Sequence, residues 1–231
     1  MKPVLLRNTL LLLMVFTATL SCSRKYYATS YFDQQTSHHR VIAVLPAEMV
    51  YTGVPPKNLT PENIRQIEEQ ESRDFQIALY NSILQYANSR RYFTTVNVQD
   101  FATTQRMLGD SNISIRDAWY RSDLELAKIL GVDAVVRMRI QKKRYMSDMA
   151  SYGVDIAKQI GYETGVLKRI PIPTGLGKTN DIYATCALVS KGQTLWNNNY
   201  KAASDWNNPA NEIIENITDN FGRNFPYKQR R

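Results

Sequence analysis

Cysteine and histidine are scarce in this chain: 231 residues contain two of each. Two cysteines cannot build the disulfide framework on which small secreted scaffolds depend. The histidines stand side by side at His38 and His39, with no Cys or carboxylate at ligand spacing, so they make a poor metal site and leave the rest of the chain without an imidazole base. Ten glycines and nine prolines are too few for a collagen-like or low-complexity sequence. Long apolar runs are also missing, which excludes a polytopic membrane protein. What remains is ordinary in amount: 43% hydrophobic and 22% charged residues describe one globular domain. Charge is mildly one-sided, with 29 Lys and Arg against 21 Asp and Glu, a formal +8.

The N-terminus carries the clearest signal. Lys2 and Arg7 precede the apolar stretch Leu10 to Leu20, and small residues then lead into Cys22. This is the layout of an export signal, and the stretch is about half of the ~20 residues a spanning helix needs. Thr19-Leu20-Ser21-Cys22 resembles a bacterial lipobox, in which the Cys is acylated on its thiol, with palmitate as the expected chain, and becomes residue one after cleavage. A lipobox has Leu three places before the Cys, where this chain has Thr19. Cleavage after Ser21 by the ordinary signal peptidase is the alternative. Residues 1–21 are thus a signal peptide, and losing Lys2 and Arg7 leaves 27 bases against 21 acids, a charge of +6. Residues 22–39 read as the lipidated Cys22 and a flexible tether. Its 17 residues after the Cys would reach roughly 20–25 Å as a coil. Ser23 in the place after the Cys, with no acidic run, resembles lipoproteins passed to the outer membrane and left facing the periplasm.

No catalytic constellation emerges. Cys186 lies in the apolar run Tyr183 to Val189, where a thiol acts as a small hydrophobe. Its disulfide with Cys22 would suit an oxidising compartment but conflicts with acylation of Cys22. Glu68, Glu69, Glu71 and Asp74 read as a solvated helix face. Gly177-Lys178-Thr179 matches the end of a phosphate loop, but the earlier glycine position is Ile172 and a strand follows where a helix should. No metal, cofactor or nucleic acid is expected.

The elements alternate. Val41 to Leu45 is an apolar run closed by Pro46, as in a strand buried on both faces. Thr60-Pro61 opens a helix to about Asn88 with Phe75, Ala78, Leu79, Ile83 and Tyr86 at core spacing. Phe93 to Val98 reads as a strand, Asp100 caps a helix through Leu108, and another helical stretch surrounds Ile115 to Tyr120. Ser122 and Glu125 form a capping box for a helix that Gly131 stops. Ala134 to Ile140 is a strand. Asp181 to Val189 and Thr194 to Tyr200 flank Lys191-Gly192 as a hairpin. Asn208-Pro209 starts a final helix with Ile213, Ile214, Ile217 and Phe221 on one face. The order predicts a single α/β sandwich with a mixed sheet over 40–227, including an insertion at 145–176, and a basic tail at 228–231.

Two surfaces are candidates for contact. Arg137, Arg139, Lys142, Lys143 and Arg144 give a basic strand, with Arg137 and Arg139 on one face by period two. Its readings are an edge strand protected by charge, or a patch for anionic lipid, peptidoglycan or an acidic partner. In the insertion, Met146, Met149, Ala150, Gly153, Val154, Ala157 and Ile160 recur at helical spacing. The residues Met149, Ala150, Gly153 and Ala157 could pack on the sheet or on a partner.

The strand Val41 to Pro46, the segment Leu126 to Val136 with its Gly131-Val132-Asp133 turn, the Leu195-Trp196 hairpin and the closing Phe225-Pro226-Tyr227 together resemble a group of Gram-negative envelope lipoproteins. That group includes CsgG, LpoB and the N-terminal domain of TolB. The resemblance implies an α/β domain used for protein contact at the cell envelope, without catalysis: an outer-membrane lipoprotein serving an envelope assembly as adaptor or accessory subunit. The alternatives are an oligomeric CsgG-like secretion channel and a cell-wall hydrolase. Relatives often carry a Gly on the strand after this turn, where this chain has Arg137. The helical spacing in the insertion argues against the alternating ~10-residue strands of transmembrane hairpins.

Overall fold

The computed structural model describes residues 26–53, 60–87, 89, 91–144, 180–204 and 209–230. Its spine is β6 (Ala134–Arg144), which stands inside a seven-stranded mixed sheet. On one side β6 runs antiparallel to β7 (Asn180–Ser190), which turns into β8 (Gln193–Ser204). On the other side its first residues pair in parallel with β2 (Val41–Val44) and the rest with β3 (Glu48–Gly53). β5 (Asn97–Gln99) adds in parallel to β2, and β1 (Tyr26–Ala28) closes the far edge against β8.

The stretch from Val41 to Gly53 is one strand with a bulge. Val44 pairs with Val136 and Glu48 with Arg139, so Leu45, Pro46 and Ala47 oppose only two residues of β6. Pro46 supplies no N–H to a ladder, and the extra residue sits where none is needed. The Val44 carbonyl there accepts from the buried Gln76 Nε2 at 2.7 Å. At the end of this strand Gly53 has φ +93°, and a Cβ would lie 2.1 Å from the Arg144 carbonyl oxygen, so only glycine fits.

The helices divide between two faces. α2 (Pro61–Ala87) and α6 (Ala210–Arg223) cover one, where Phe75, Leu79, Ile83, Ile217 and Phe221 pack on Ile42, Val136, Met138, Ile140, Cys186 and Trp196. They approach closely: a Cβ on Gly222 would come within 2.3 Å of Ser82 Oγ, which donates to the Thr218 carbonyl at 3.0 Å. On the other face α3 (Phe101–Asp110), α4 (Ile115–Tyr120) and α5 (Asp123–Leu130) bring Leu108, Ala118, Leu126 and Leu130 over Ala43, Leu45, Val135 and Val189. The chain is therefore a mixed-sheet α/β sandwich, as its element order predicts, but among the described residues this second layer covers only one end of the sheet.

Local signals account for most boundaries. Asp100 Oδ1 caps α3 by accepting from Ala102 and Thr103 N–H. Gly131, at φ +64°, ends α5 in the left-handed conformation. Lys191 and Gly192 both have positive φ, 51° and 77°, which is the two-residue hairpin turn.

Four expectations are corrected. The span 26–39 is not a tether: β1 pairs Tyr26, Tyr27 and Ala28 with Asn198, Asn197 and Trp196, and α1 (Phe32–Thr36) follows. Buried Thr36 and half-buried Phe32 and His39 anchor a segment whose hydrophobic residues are too few to show periodicity. Phe93 to Val98 forms two strands, β4 (Tyr92–Thr94) and β5, in different sheets. The basic tail supplies β9 (Lys228–Arg230), antiparallel to β4, because backbone pairing overrides its polar composition. Ser122 makes no side-chain cap and Glu125 pairs with Arg121, while Ser114 and Asp117 form a reciprocal capping box one helix earlier.

Candidate functional site: the uncovered sheet face

Beyond Val135 the residues of β6 on the α3–α5 side are Arg137, Arg139, Gln141 and Lys143. The register sets Ala187, Thr185, Tyr183 and Asp181 of β7 beside them. Asn197, Asn199, Lys201 and Ala203 of β8 follow, and Glu48, Val50 and Thr52 of β3 stand on the other flank. Arg139, Gln141, Lys143, Tyr183, Asn199 and Lys201 are exposed. Thr185 Oγ1 donates to Asn199 Oδ1 at 3.0 Å, and Lys201 Nζ lies 5.0 Å from the centre of the Tyr183 ring. This is a broad, shallow surface of amides, hydroxyls and cations around one tyrosine face. Such a surface can hydrogen-bond and stack; it does not enclose a reacting group.

The five basic residues do not act together on it. Because side chains alternate, Lys142 turns to the helix face, where its Nζ meets Glu71 at 2.6 Å and lies 5.5 Å over the Tyr51 ring. Tyr51 OH donates to the same Glu71 carboxylate, and burial first, then Glu71, pushes its pKa up. Arg144, next but one along β6, falls on that side too. Arg137 is largely buried, with 19% of its side chain exposed. Its guanidinium pairs with Asp123 at 2.6 Å and donates to the carbonyls of Ala118 (3.2 Å), Trp119 (2.8 Å) and Arg121 (3.0 Å). Those carbonyls end α4, so Arg137 ties α4 and α5 to the sheet. Arg139 faces solvent but pairs with Glu48 at 3.0 Å. The strand they share is central, not an edge, which corrects the reading of charge as edge protection.

A second cluster, which sequence reading missed, lies at the hairpin end. His39 Nε2 is 3.1 Å from Ser190 Oγ, and its Nδ1 contacts Tyr227 OH. The pair resembles a nucleophile with its base, but the wiring is opposite. Ser190 Oγ donates its hydrogen to the Asp133 carbonyl at 2.8 Å, so His39 donates from Nε2 and accepts at Nδ1 from the tyrosine. Burial lowers the His39 pKa, with Lys191 and His38 adding and Asp133 opposing. Burial raises that of Tyr227, and the Asp133 charge adds. Burial also works against ionisation of Asp133, but its Oδ2 accepts the N–H groups of Arg40 (2.7 Å) and Val41 (3.0 Å), and its pKa ends below the usual range. The cluster joins the N-terminal segment to the hairpin and the Phe225-Pro226-Tyr227 end. Two isolated polar positions 151 residues apart gave no sequence signal of it.

Cys186 is wholly buried, and burial raises its pKa far above the usual thiol range. Among the described residues no three His, Cys, Asp or Glu side chains gather as metal ligands, and no helix is long and apolar enough to cross a membrane. Cys22, the insertion residues Met149, Ala150, Gly153 and Ala157, and the Gly177-Lys178-Thr179 stretch lie outside the described residues.

No family model matches the chain, and no curated protein does. Among solved structures it is similar to lipoprotein GNA1162 of Neisseria meningitidis, at 14% identity and a TM-score of 0.42 over 78% of this chain and 94% of that one. The PelC dodecamer of Paraburkholderia phytofirmans aligns at 10% identity and a TM-score of 0.39, over 80% and 86%. The C-terminal domain of LpoB from Salmonella enterica aligns at 9% identity and a TM-score of 0.34, over 75% and 93%.

Proposed function

We propose that this chain is an outer-membrane lipoprotein, anchored through Cys22 and facing the periplasm, whose α/β domain serves an envelope assembly as a non-catalytic adaptor or accessory subunit. The observation that carries the reading is the sheet itself. Among the described residues one layer of helices is complete and the other stops at Val135, leaving a largely exposed polar face on the central strands. A protein partner that lays a helix or strand pair across it would complete the second layer. Amides, a tyrosine ring and a few cations, with Arg139 paired to Glu48 and Lys201 over the Tyr183 ring, suit a protein surface better than a dense anionic one. Anionic lipid and peptidoglycan are weaker occupants, since Arg137 and Lys142 are committed inside the fold.

The non-catalytic part rests on the two groups closest to nucleophiles. Ser190 spends its hydrogen on a backbone carbonyl, and Cys186 is held as a neutral thiol inside the core.

Intact mass of protein extracted from membranes, with light scattering in mild detergent, tests the anchor and the assembly together. A monomer or dimer carrying acyl mass on Cys22, with Cys22→Ser released from the membrane, is the expected result. A ring of several copies would favour the secretion channel, and unchanged mass and membrane association in Cys22→Ser would remove the lipoprotein reading. Photocrosslinkers at Thr185 and Asn199 are expected to capture one discrete envelope protein that a crosslinker at Gln70, on the outer face of α2, does not. Cell-wall hydrolysis by the purified protein would replace the adaptor with an enzyme.

A further inference from the structure

The ordered N-terminal segment changes what an anchor at Cys22 would do. With 26–39 bound to the domain, four Cα steps separate Cys22 from Tyr26, a span of at most about 14 Å. A domain held that closely cannot turn freely above a bilayer. The part of it nearest the anchor is the β1 edge, and that edge carries three exposed tyrosines: Tyr26 (39% exposed), Tyr27 (60%) and Tyr31 (66%).

Tyr26 and Tyr27 are neighbours on a strand, so their rings leave the sheet on opposite faces and straddle its rim. Tyr31 begins α1 just beyond. Three such rings gather at one edge, and Tyr is favoured where an apolar acyl boundary meets hydrated headgroups. Charge agrees. Arg24 and Lys25 fall in the sequence between the anchor and the strand, and Lys201 is exposed farther along β8, against Asp33 alone in α1. A net positive rim is drawn to acidic headgroups.

We infer that the β1 edge is a membrane-contact surface, with Tyr26, Tyr27 and Tyr31 seated among the headgroups of a bilayer that contains anionic lipid. This rests on the lipoprotein reading for its anchor but makes a claim of its own. The sheet then stands on its edge, and the uncovered face of β6 to β8, which Tyr27 extends to the rim, is turned sideways to the bilayer rather than towards or away from it. A partner would reach that face by moving alongside the membrane.

The test uses the acylated protein in vesicles of phosphatidylethanolamine and phosphatidylglycerol. Cys22 is then blocked and Cys186 buried, so nitroxides attach only to introduced cysteines: Tyr27→Cys, Tyr31→Cys and, as exposed controls, Tyr120→Cys and Leu124→Cys. Paramagnetic quenchers measure depth. Labels at 27 and 31 are expected to lose contact with a water-soluble quencher at least threefold relative to 120 and 124, and to gain contact with oxygen. Equal accessibility at all four positions, in protein whose acyl mass is verified, would overturn the inference. Mutual broadening of the 27 labels in a dimer would overturn it too, because the edge would then be pairing with a second copy. If the chain proves unacylated, the same labels are introduced in a Cys22→Ser background and read after adding excess vesicles. Protection there, weakened roughly threefold by each of Tyr26→Ser and Tyr31→Ser in a chain labelled at 27, supports the surface without the anchor; no protection overturns it.

Discussion

Replacing Arg137 distinguishes a binding residue from a structural one. Arg137→Met keeps the length of the side chain and its packing but removes an ion pair and three hydrogen bonds to carbonyls at 2.8–3.2 Å. A hydrogen bond to a charged group contributes about 1.5–3 kcal/mol when buried. Here 19% of the Arg137 side chain and 25% of Asp123 remain exposed, so water recovers part of each loss. The net destabilisation comes to about 2–4 kcal/mol. Arg137→Lys retains the attraction to Asp123 but cannot fork to three carbonyls, and should recover about a third of that. Urea denaturation followed by the fluorescence of Trp119 and Trp196, both buried, measures the change in midpoint. Hydrogen exchange adds a local readout, since the Arg121 N–H bonded to the Asp117 carbonyl at the end of α4 should lose protection first. A solvent-facing charge would change stability by less than about 0.5 kcal/mol. That result for Arg137→Met, with α4 still protected, would refute the structural role and return Arg137 to the surface.

Gly222→Ala and Gly109→Ala make a pair with opposite signs. Both glycines are helical, but a Cβ at 222 meets Ser82 at 2.3–2.8 Å whereas one at 109 meets nothing within 4 Å. The first should destabilise by about 1–3 kcal/mol through separation of α2 from α6, and the second should stabilise by about 0.5–1 kcal/mol; thermal unfolding that shifts both the same way would contradict the packing. For His39 the folded pKa lies below the free value, so the unfolded chain takes up a proton first. Stability is flat above about pH 6.5. It is lost as pH falls from there through the lower folded pKa, and His39→Gln should flatten that limb in chemical denaturation at pH 5.5 and 7.5. An increase in stability towards pH 5.5 would show the histidine held charged. Cys186 should resist thiol reagents in the native protein and react at the rate of unfolding, so labelling within minutes without denaturant would mean that β7 is not where the structure has it.

Much of the fold was legible because it rests on short-range chemistry. The run Val41 to Leu45 announces a strand buried on both faces, Gly131 the end of α5, and Lys191-Gly192 the hairpin; each depends on a few neighbouring residues. Two of the misreadings involve partners far away in sequence. Tyr26 to Ala28 are a strand only because β8, with Trp196 to Asn198, offers them an edge far along the chain, and Lys228 to Arg230 are one only because β4 lies far back along it. Ser122 and Glu125 have the spacing of a capping box, but Ser122 makes no side-chain cap and Glu125 pairs with Arg121.

The candidate site failed to read from sequence for a related reason, and the failure is informative about the molecule. Alternation on β6 correctly separates Arg137 and Arg139 from Val136, Met138 and Ile140, yet alternation says only which face a residue takes, not what covers that face. The same face is dry at Val135, under Leu126 and Leu130, bridged at Arg137, where α4 ends and α5 begins, and wet at Arg139 and Gln141. Arg137 stands at the boundary. Its guanidinium binds the rim of the short helical layer and its stem lies on the sheet, so an arginine there both ends the layer and seals its open side. An apolar residue at 137 would leave the carbonyls of α4 unpaired, and a small one would admit water beneath Ala118. Arg137 thus marks where the second layer stops among the described residues, and the exposed face beyond it is a consequence of that stop.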